Sequence, residues 1–411
     1  MPKPGRLLFS ALIALAGCST APRVREPGAL DWNSTGTNPA PPRVEVVAEP
    51  PKLAPPPSNA PSATPPSPRP PAASYAETWI PLGRWAREHN VGSLRRTATA
   101  PSPTFALTTS NGVLTVQVNS LAAKWNGLEL RLGFEPQLVD EQPFVHVLDL
   151  KKNIEPLLRD FPLPEKAGRI VVIDPGHGGS NTGTASVLDG ASEKQYTLDW
   201  AKRLEALLAN RGWLVFLTRT EDADVSLADR VAFAGQRGAD LFISLHFNSA
   251  APNREQSGLE TFCLTPAGMP STLTREFDDN PALVFTNNAC DAENLQFALR
   301  LHRALLQAGG MTDRGVRRSR FMVVLRGQSC PAVLIEGGYL SNPREARRIA
   351  DPAYRQLLAE AVAGALEPDD SNRRSVVKAQ KPESDVPGPA IRTPTSELQS
   401  SNSPATNTPL Q

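Results

Sequence analysis

Four side chains in the second half of the chain have the types and spacing to hold a divalent metal and move a proton beside it. His177 stands in Ile173-Asp174-Pro175-Gly176-His177-Gly178-Gly179, where glycines let the backbone turn sharply and leave space around one imidazole. Sixteen residues on, Glu193 follows in Ser192-Glu193-Lys194. His246 stands in Ser244-Leu245-His246-Phe247-Asn248, and Glu336 in Val333-Leu334-Ile335-Glu336-Gly337-Gly338. Two imidazoles and one carboxylate from separate loops make an open three-ligand zinc site, with the fourth position left for water. Glu336 then stands as a lone carboxylate at the mouth of the same crevice. Each residue alone has a blander reading: a structural histidine in a tight turn, an acid complementing a helix dipole, a strand-end surface acid. All four fall at strand ends or in the turn that follows, and that joint placement favours chemistry.

The elements that must position them alternate through residues 168–367. Apolar runs predict strands over 170–173, 214–217, 241–245, 259–264, 321–325 and 333–335. Between and after them, helical periodicity covers 195–210, 227–236, 295–306 and 354–366. Leu198, Ala201, Leu204, Leu207 and Leu208 form the inward stripe of the first helix. Such alternation predicts an α/β fold, a mostly parallel sheet with helices on both faces. In open sheets of this kind the ligand site lies at the carboxyl ends of the strands, where these four residues stand.

At this point residues 169–366 resemble the zinc-dependent N-acetylmuramoyl-L-alanine amidases of the type 3 family, bacterial wall hydrolases. The resemblance is carried by Val172-Ile173-Asp174-Pro175-Gly176-His177-Gly178-Gly179, Glu193-Lys194, Leu217-Thr218-Arg219, the block from Ala239 to His246, Gly258-Leu259-Glu260-Thr261-Phe262, and the block from Pro331 to Asn342. It implies zinc held by His177, Glu193 and His246, with Glu336 as the catalytic acid/base. The implied substrate is peptidoglycan, cut at the amide joining the lactyl group of N-acetylmuramic acid to L-alanine. Two other readings stand beside it: a non-catalytic wall-binding or regulatory module on an amidase fold, and a zinc exopeptidase. A degenerate module should have lost a ligand or the glutamate, and this chain keeps all four.

The chain has 411 residues, formal charge +1 and 41 prolines, sixteen of them within residues 21–73. A near-neutral balance gives no basic field for nucleic acid, and no apolar run reaches the length of an ordinary membrane-spanning helix. Lys3 and Arg6 precede an apolar stretch over 7–15 that ends in Ala16-Gly17-Cys18, the pattern of a secretory signal. Leu15-Ala16-Gly17-Cys18 also resembles a lipobox, which implies cleavage after residue 17 and a lipid on Cys18. Ser19 after the cysteine implies an outer-membrane lipoprotein facing the periplasm. The expected order is a signal peptide (1–17), a lipidated N-terminus and Pro-rich linker (18–73), a small α+β domain (74–164), the zinc amidase domain (168–367) and a disordered tail (368–411). The small domain resembles a stalk-like module found on copper amine oxidases and bacterial wall proteins. It carries no copper set, because His89 and His146 are its only histidines. A monomer is expected, and an activating protein is left open.

An insertion over 264–294, with the acidic run Glu276-Phe277-Asp278-Asp279, reads as a groove wall or loop, with an inhibitory lid as the alternative. Cys263, Cys290 and Cys330 offer one bridge in an exported protein, most simply Cys263 with Cys290, with Cys330 in competition. His302 reads as structural or surface. Arg314, Arg317, Arg318 and Arg320 form a basic cluster suited either to stem-peptide carboxylates or to a solvated face.

Overall fold

The structure, a computed structural model, describes residues 78–161, 163, 168–273 and 279–367. The expected signal segment, Cys18, the expected Pro-rich linker and the expected tail lie outside the described residues. Among those described, no helix is long and apolar enough to cross a membrane.

Period-two alternation of apolar residues builds the N-terminal module. It contains β1 (Trp79–Pro81), α1 (Leu82–Glu88), β2 (Ser93–Ala98), β3 (Thr104–Thr108), β4 (Val113–Gln117), β5 (Ala122–Trp125) and β6 (Leu128–Arg131), then β7 (Gln137–Val139) and β8 (Gln142–His146). A helical stretch follows as α2 (Val147–Asp149), a π-helical turn (Leu150–Ile154) and α3 (Glu155–Leu158). Strands β2 to β6 form an antiparallel meander, with Leu107 opposite Leu114 and Phe105 opposite Val116. The β5–β6 turn is Asn126-Gly127, both at positive φ (51° and 84°), the backbone a two-residue hairpin requires. Asn126 Oδ1 accepts from Val113 N at 2.8 Å and ties that turn to β4.

The second half follows the expected alternation: β9 (Ile170–Pro175), α4 (Glu193–Ala209), β10 (Leu214–Leu217), α5 (Leu227–Arg237), β11 (Leu241–Asn248) and β12 (Leu259–Cys263). After a 3-10 turn (Thr286–Cys290) come α6 (Asp291–Gly309), β13 (Asp313–Arg318), α7 (Val323–Arg326), β14 (Ala332–Tyr339), α8 (Pro343–Ala350) and α9 (Pro352–Ala365). Strands β10, β9, β11 and β14 are parallel neighbours, and only β12 runs antiparallel to β14. Helices cover both faces. Trp200 on α4, Leu301 on α6 and Val362 on α9 pack on one side with Ile173, Ile243 and Ile335. Ala234 on α5 and Val324 and Leu325 on α7 pack on the other with Val172, Phe242, Phe262 and Leu334.

The two halves share one sheet. Its order is β10-β9-β11-β14-β12-β13-β6-β5-β4-β3-β2, joined where Val316 of β13 pairs in parallel with Leu130 of β6. One apolar cluster runs from Leu82 and Leu107 in the module to Leu358 and Leu366 in α9 and beyond it. Polar ties reinforce the seam: Glu129 N donates to Asp313 Oδ2 (2.9 Å), Arg318 Nη2 to Asn153 Oδ1 (3.1 Å), and Gln296 Nε2 to Pro156 O (2.8 Å). The described residues of the module and of the second half therefore pack around a common core.

Several expectations change. The run 321–325 is no strand: it contains the short helix α7, and the strand is β13 just before it. Its sequence, Asp-Arg-Gly-Val-Arg-Arg, hides a strand because its arginines are satisfied only by residues distant in sequence. Helix α8 (Pro343–Ala350) also falls in a stretch for which no element is expected. The bridge expected between Cys263 and Cys290 is not formed, and all three described cysteines are free thiols. Cys263 points into the buried core from β12, whereas Cys290 closes the 3-10 turn at the half-buried start of α6. The described residues of the insertion line no part of the cleft at His177 and His246. They fasten the seam instead: Met269 fills the space left by Gly133, and Leu148 lies against Gly268.

Candidate metal centre

His177 follows the end of β9 in a left-handed conformation (φ 64°). A non-glycine residue there is strained unless its surroundings hold it. Arg230 does so from α5, donating Nη2 to His177 O at 2.7 Å. Asn181 Oδ1 lies 2.9 Å from Nδ1 of the same ring, which orients the imidazole and leaves Nε2 for a ligand role. Glu193 is the first residue of α4, and His246 lies near the end of β11. Close approach of the loops requires Gly183, where a Cβ would come 2.6 Å from Glu193 Oε2 and 2.7 Å from His177 Cδ2.

The three side chains converge. Glu193 Oε2 lies 3.1 Å from His177 Nε2, and Oε1 lies 3.0 Å from His246 Nδ1. Candidate ligand atoms of all three fall within 4.8 Å of one another. Backbone N–H groups of Thr184 and Phe247 each donate to a Glu193 oxygen at 3.0 Å and fix the carboxylate. The buried His177 Nε2 makes no hydrogen bond of acceptable geometry. A buried donor set with one nitrogen left over fits a divalent zinc ion, which takes histidine nitrogen and carboxylate oxygen.

Charge at the site is tightly coupled. Burial favours neutral Glu193, but the two imidazoles outweigh it and hold the carboxyl far below its ordinary range. Burial also disfavours protonated His177, yet Glu193 and Asn181 raise it above an ordinary imidazole. Burial, aided by the His177 charge, lowers His246. One acid flanked by two bases of opposite tendency is what a shared cation would complete.

Glu336 stands on β14 beside His246, its register partner on β11, and opposite Glu260 on β12. It is 1% exposed. A cleft of about 500 Å³ opens beside this cluster, bounded among others by His177, His246, Arg230, Asp224, Met322 and Val324.

Beneath the ligands lies a network to which the sequence alone assigned no role. Buried Asp174 accepts from Arg230 Nη1 (2.5 Å), Thr218 Oγ1 (2.5 Å) and Ser244 Oγ (2.8 Å). Burial opposes its ionisation, but Arg230 and the two hydroxyls prevail and keep it below the usual carboxylate range. Arg219 donates to the carbonyls of Pro175 (3.0 Å), Gly176 (2.9 Å) and Lys194 (2.9 Å), clamping the His177 loop to the start of α4. Asp174 and Arg219 fall inside the sequence blocks that carry the family resemblance, while Arg230 had no local signal beyond its place in a helix.

Most of the other polar residues singled out in the sequence are tied to neighbours in the fold. His302 is buried, bonded to Thr261 Oγ1 (2.9 Å) and facing Asp313 (3.0 Å). His146 stacks on Phe134 and accepts from Leu148 N. Of the arginine cluster, Arg318 is buried on Leu264 O and Asn153, and Arg320 pairs with Asp279. Arg314 and Arg317 turn to Glu260.

Comparison with known proteins agrees with this reading. A family model described as N-acetylmuramoyl-L-alanine amidase matches residues 171–368. The amidase AmiA of Salmonella typhimurium is 32% identical over 228 residues, covering 50% of this chain and 78% of the relative. The amidase CwlM of Bacillus licheniformis is 32% identical over 198 residues, covering 48% and 66%. Among solved structures, the catalytic domain of CwlV from Paenibacillus polymyxa is 30% identical, covers 48% of this chain and 96% of that one, and has a TM-score of 0.40. Identity of 32% sustained across 78% of a curated relative, together with the family match over the same half, places the chain in the N-acetylmuramoyl-L-alanine amidase family, hydrolases of the peptidoglycan amide.

Proposed function

We propose that this amidase is zinc-dependent, with His177, Glu193 and His246 as ligands and Glu336 as general acid/base. The observation that carries it is the convergence of three ligand side chains beside a buried carboxylate on the neighbouring strand. When bound, zinc supplies Lewis acidity that brings the ionisation of water down to about pH 7. Glu336 takes the proton of the attacking water and delivers it to the departing L-alanine amine. Asn181 keeps the His177 ring oriented, and Arg219 and Arg230 hold the loop that presents it. Buried Trp200 and Phe247 pack against Gly337, the residue after Glu336.

The reading also includes a monomeric lipoprotein tethered through Cys18 to the outer membrane on its periplasmic side. It is supported by the charged, apolar and small-residue segments ahead of that cysteine. Mass measurement of the mature N-terminus checks the anchor: an acylated Cys18 supports it, and an unmodified one removes it. The enzymology is tested by elemental analysis of the purified protein and mass analysis of products from sacculi, with and without chelator. One zinc per chain and chelator-sensitive release of stem peptides beginning at L-alanine support the mechanism. Release that persists in metal-free protein overturns it.

A further inference from the structure

On the side of Glu336 away from the cleft, the sheet carries a second group of charged residues. Glu260 pairs directly with Glu336 across β12 and β14, so their side chains share a face about 5 Å apart at Cβ. Arg317 Nε lies 2.9 Å and Arg314 Nε 3.5 Å from Glu260 Oε1. Asn248 Nδ2 and Tyr339 OH each donate to Oε2 at 2.9 Å. Arg314 also lies over the Tyr339 ring.

The module adds a third guanidinium. Leu130 of β6 and Val316 of β13 are register partners, both buried in the core. Side chains alternate along a strand, so Arg131 and Arg317, each the next residue, stand together on the opposite face. Arg131 is near enough to disfavour the charged form of Arg317. Its neighbour on β5 is Ala122, a small residue that leaves the guanidinium room. No carboxylate of the described residues pairs with Arg131. Glu345 senses Arg314, but its oxygens are engaged by Gly258 N (2.8 Å) and Tyr339 N (2.7 Å). Two guanidiniums therefore meet the one carboxylate of Glu260, with the third, Arg131, beside Arg317, and each of the three is only partly buried.

The substrate has a matching asymmetry. Its acyl side is an uncharged lactyl ether of a sugar, whereas its amine side is a peptide with free carboxylates. We propose that Arg131, Arg314 and Arg317 form the subsite that binds a stem-peptide carboxylate, which makes the N-terminal module part of the substrate site. Glu260 holds Arg314 and Arg317 in place while Arg131 stands uncompensated beside them, and planar bidentate pairing is how arginine selects carboxylates. The peptide then lies over β12, β13 and β6, and the glycan lies toward the cleft on the other side of the ligands.

This rests on the amidase reading and is tested apart from it by steady-state kinetics of the full chain on two soluble muropeptides. One carries free stem-peptide carboxylates, and in the other they are amidated. The wild type should show a KM about tenfold lower for the free-carboxylate substrate. Arg131→Gln should erase that preference with little change in kcat, and Arg131→Lys should keep part of it. An equal effect of Arg131→Gln on both substrates overturns the subsite, as does a wild type with equal KM values. If Arg131→Gln fails to fold, the same cycle with Arg314→Gln decides the matter by the same criteria. A wild type that cleaves neither substrate overturns the amidase reading and the subsite with it.

Discussion

Asp174 in the catalytic half and Asp149 in the module are both buried carboxylates, and burial alone pushes both toward the neutral form. They end on opposite sides of their ordinary value. Asp174 faces the Arg230 guanidinium and stays low. Asp149 is met by Gly133 N (2.8 Å), Phe134 N (2.9 Å) and Asn153 Nδ2 (2.7 Å), with Arg318 acting only from a distance, and burial carries it up to about 6. Neutral donors satisfy an acid's oxygens without compensating its charge; a buried guanidinium does both. The catalytic half keeps compensated charges at the carboxyl ends of its strands, and the module uses its buried acid to fasten a loop.

The largest expected effect tests the catalytic half directly. Glu336→Gln should lower kcat by about a thousandfold while bound zinc, read by elemental analysis, is retained; near-wild-type turnover would remove the acid/base role. Next comes the pair beneath the ligands. Arg230→Met leaves Asp174 charged and buried and should cost about 3–5 kcal/mol in urea unfolding, with faster zinc loss to a competing chelator because His177 O is released. Unchanged stability would show that Asp174 is held by Thr218 and Ser244 alone.

The module's acid should act in the opposite sense with pH. A carboxyl raised in the folded state contributes stability that is fully present below its unfolded value and lost as pH rises through about 6. For Asp149 the span is about 2–3 kcal/mol. Asp149→Asn should remove that decline, seen as a flatter plot of unfolding free energy between pH 4 and 6. Asp174 shows the reverse sign, its contribution disappearing only as pH falls through its depressed value. The smallest effect belongs to the module surface, where Lys124 lies 2.7 Å from Glu129 with its side chain 53% exposed. Lys124→Gln should move the thermal midpoint by no more than about 0.5 kcal/mol of stability allows; a larger loss would mean that the pair also supports the β6–β13 seam.

The histidines, the first glutamate and Glu336 were legible because each ends an apolar run or opens a helix, and the fold brings such ends together. Strands β9, β11 and β14 were legible for the same reason, being apolar on both faces. Strand β13 was not, since Arg314 and Arg317 are balanced by Glu260 on another strand and Arg318 by Asn153 in the module. Arg230 was equally silent, as a helical arginine gives no local sign that it will reach a strand-end acid and a histidine carbonyl.

Local pattern alone therefore determined the alternation of strands and helices and the placing of the four groups at strand ends or the turns after them, because periodicity and turn chemistry act over a few residues. Tertiary structure decided that the module's meander extends the catalytic sheet, that Arg230 joins two hydroxyls on Asp174, and that Arg131 stands beside Arg317. Those outcomes depend on strand order and register between segments far apart in the chain, and no short-range preference encodes them.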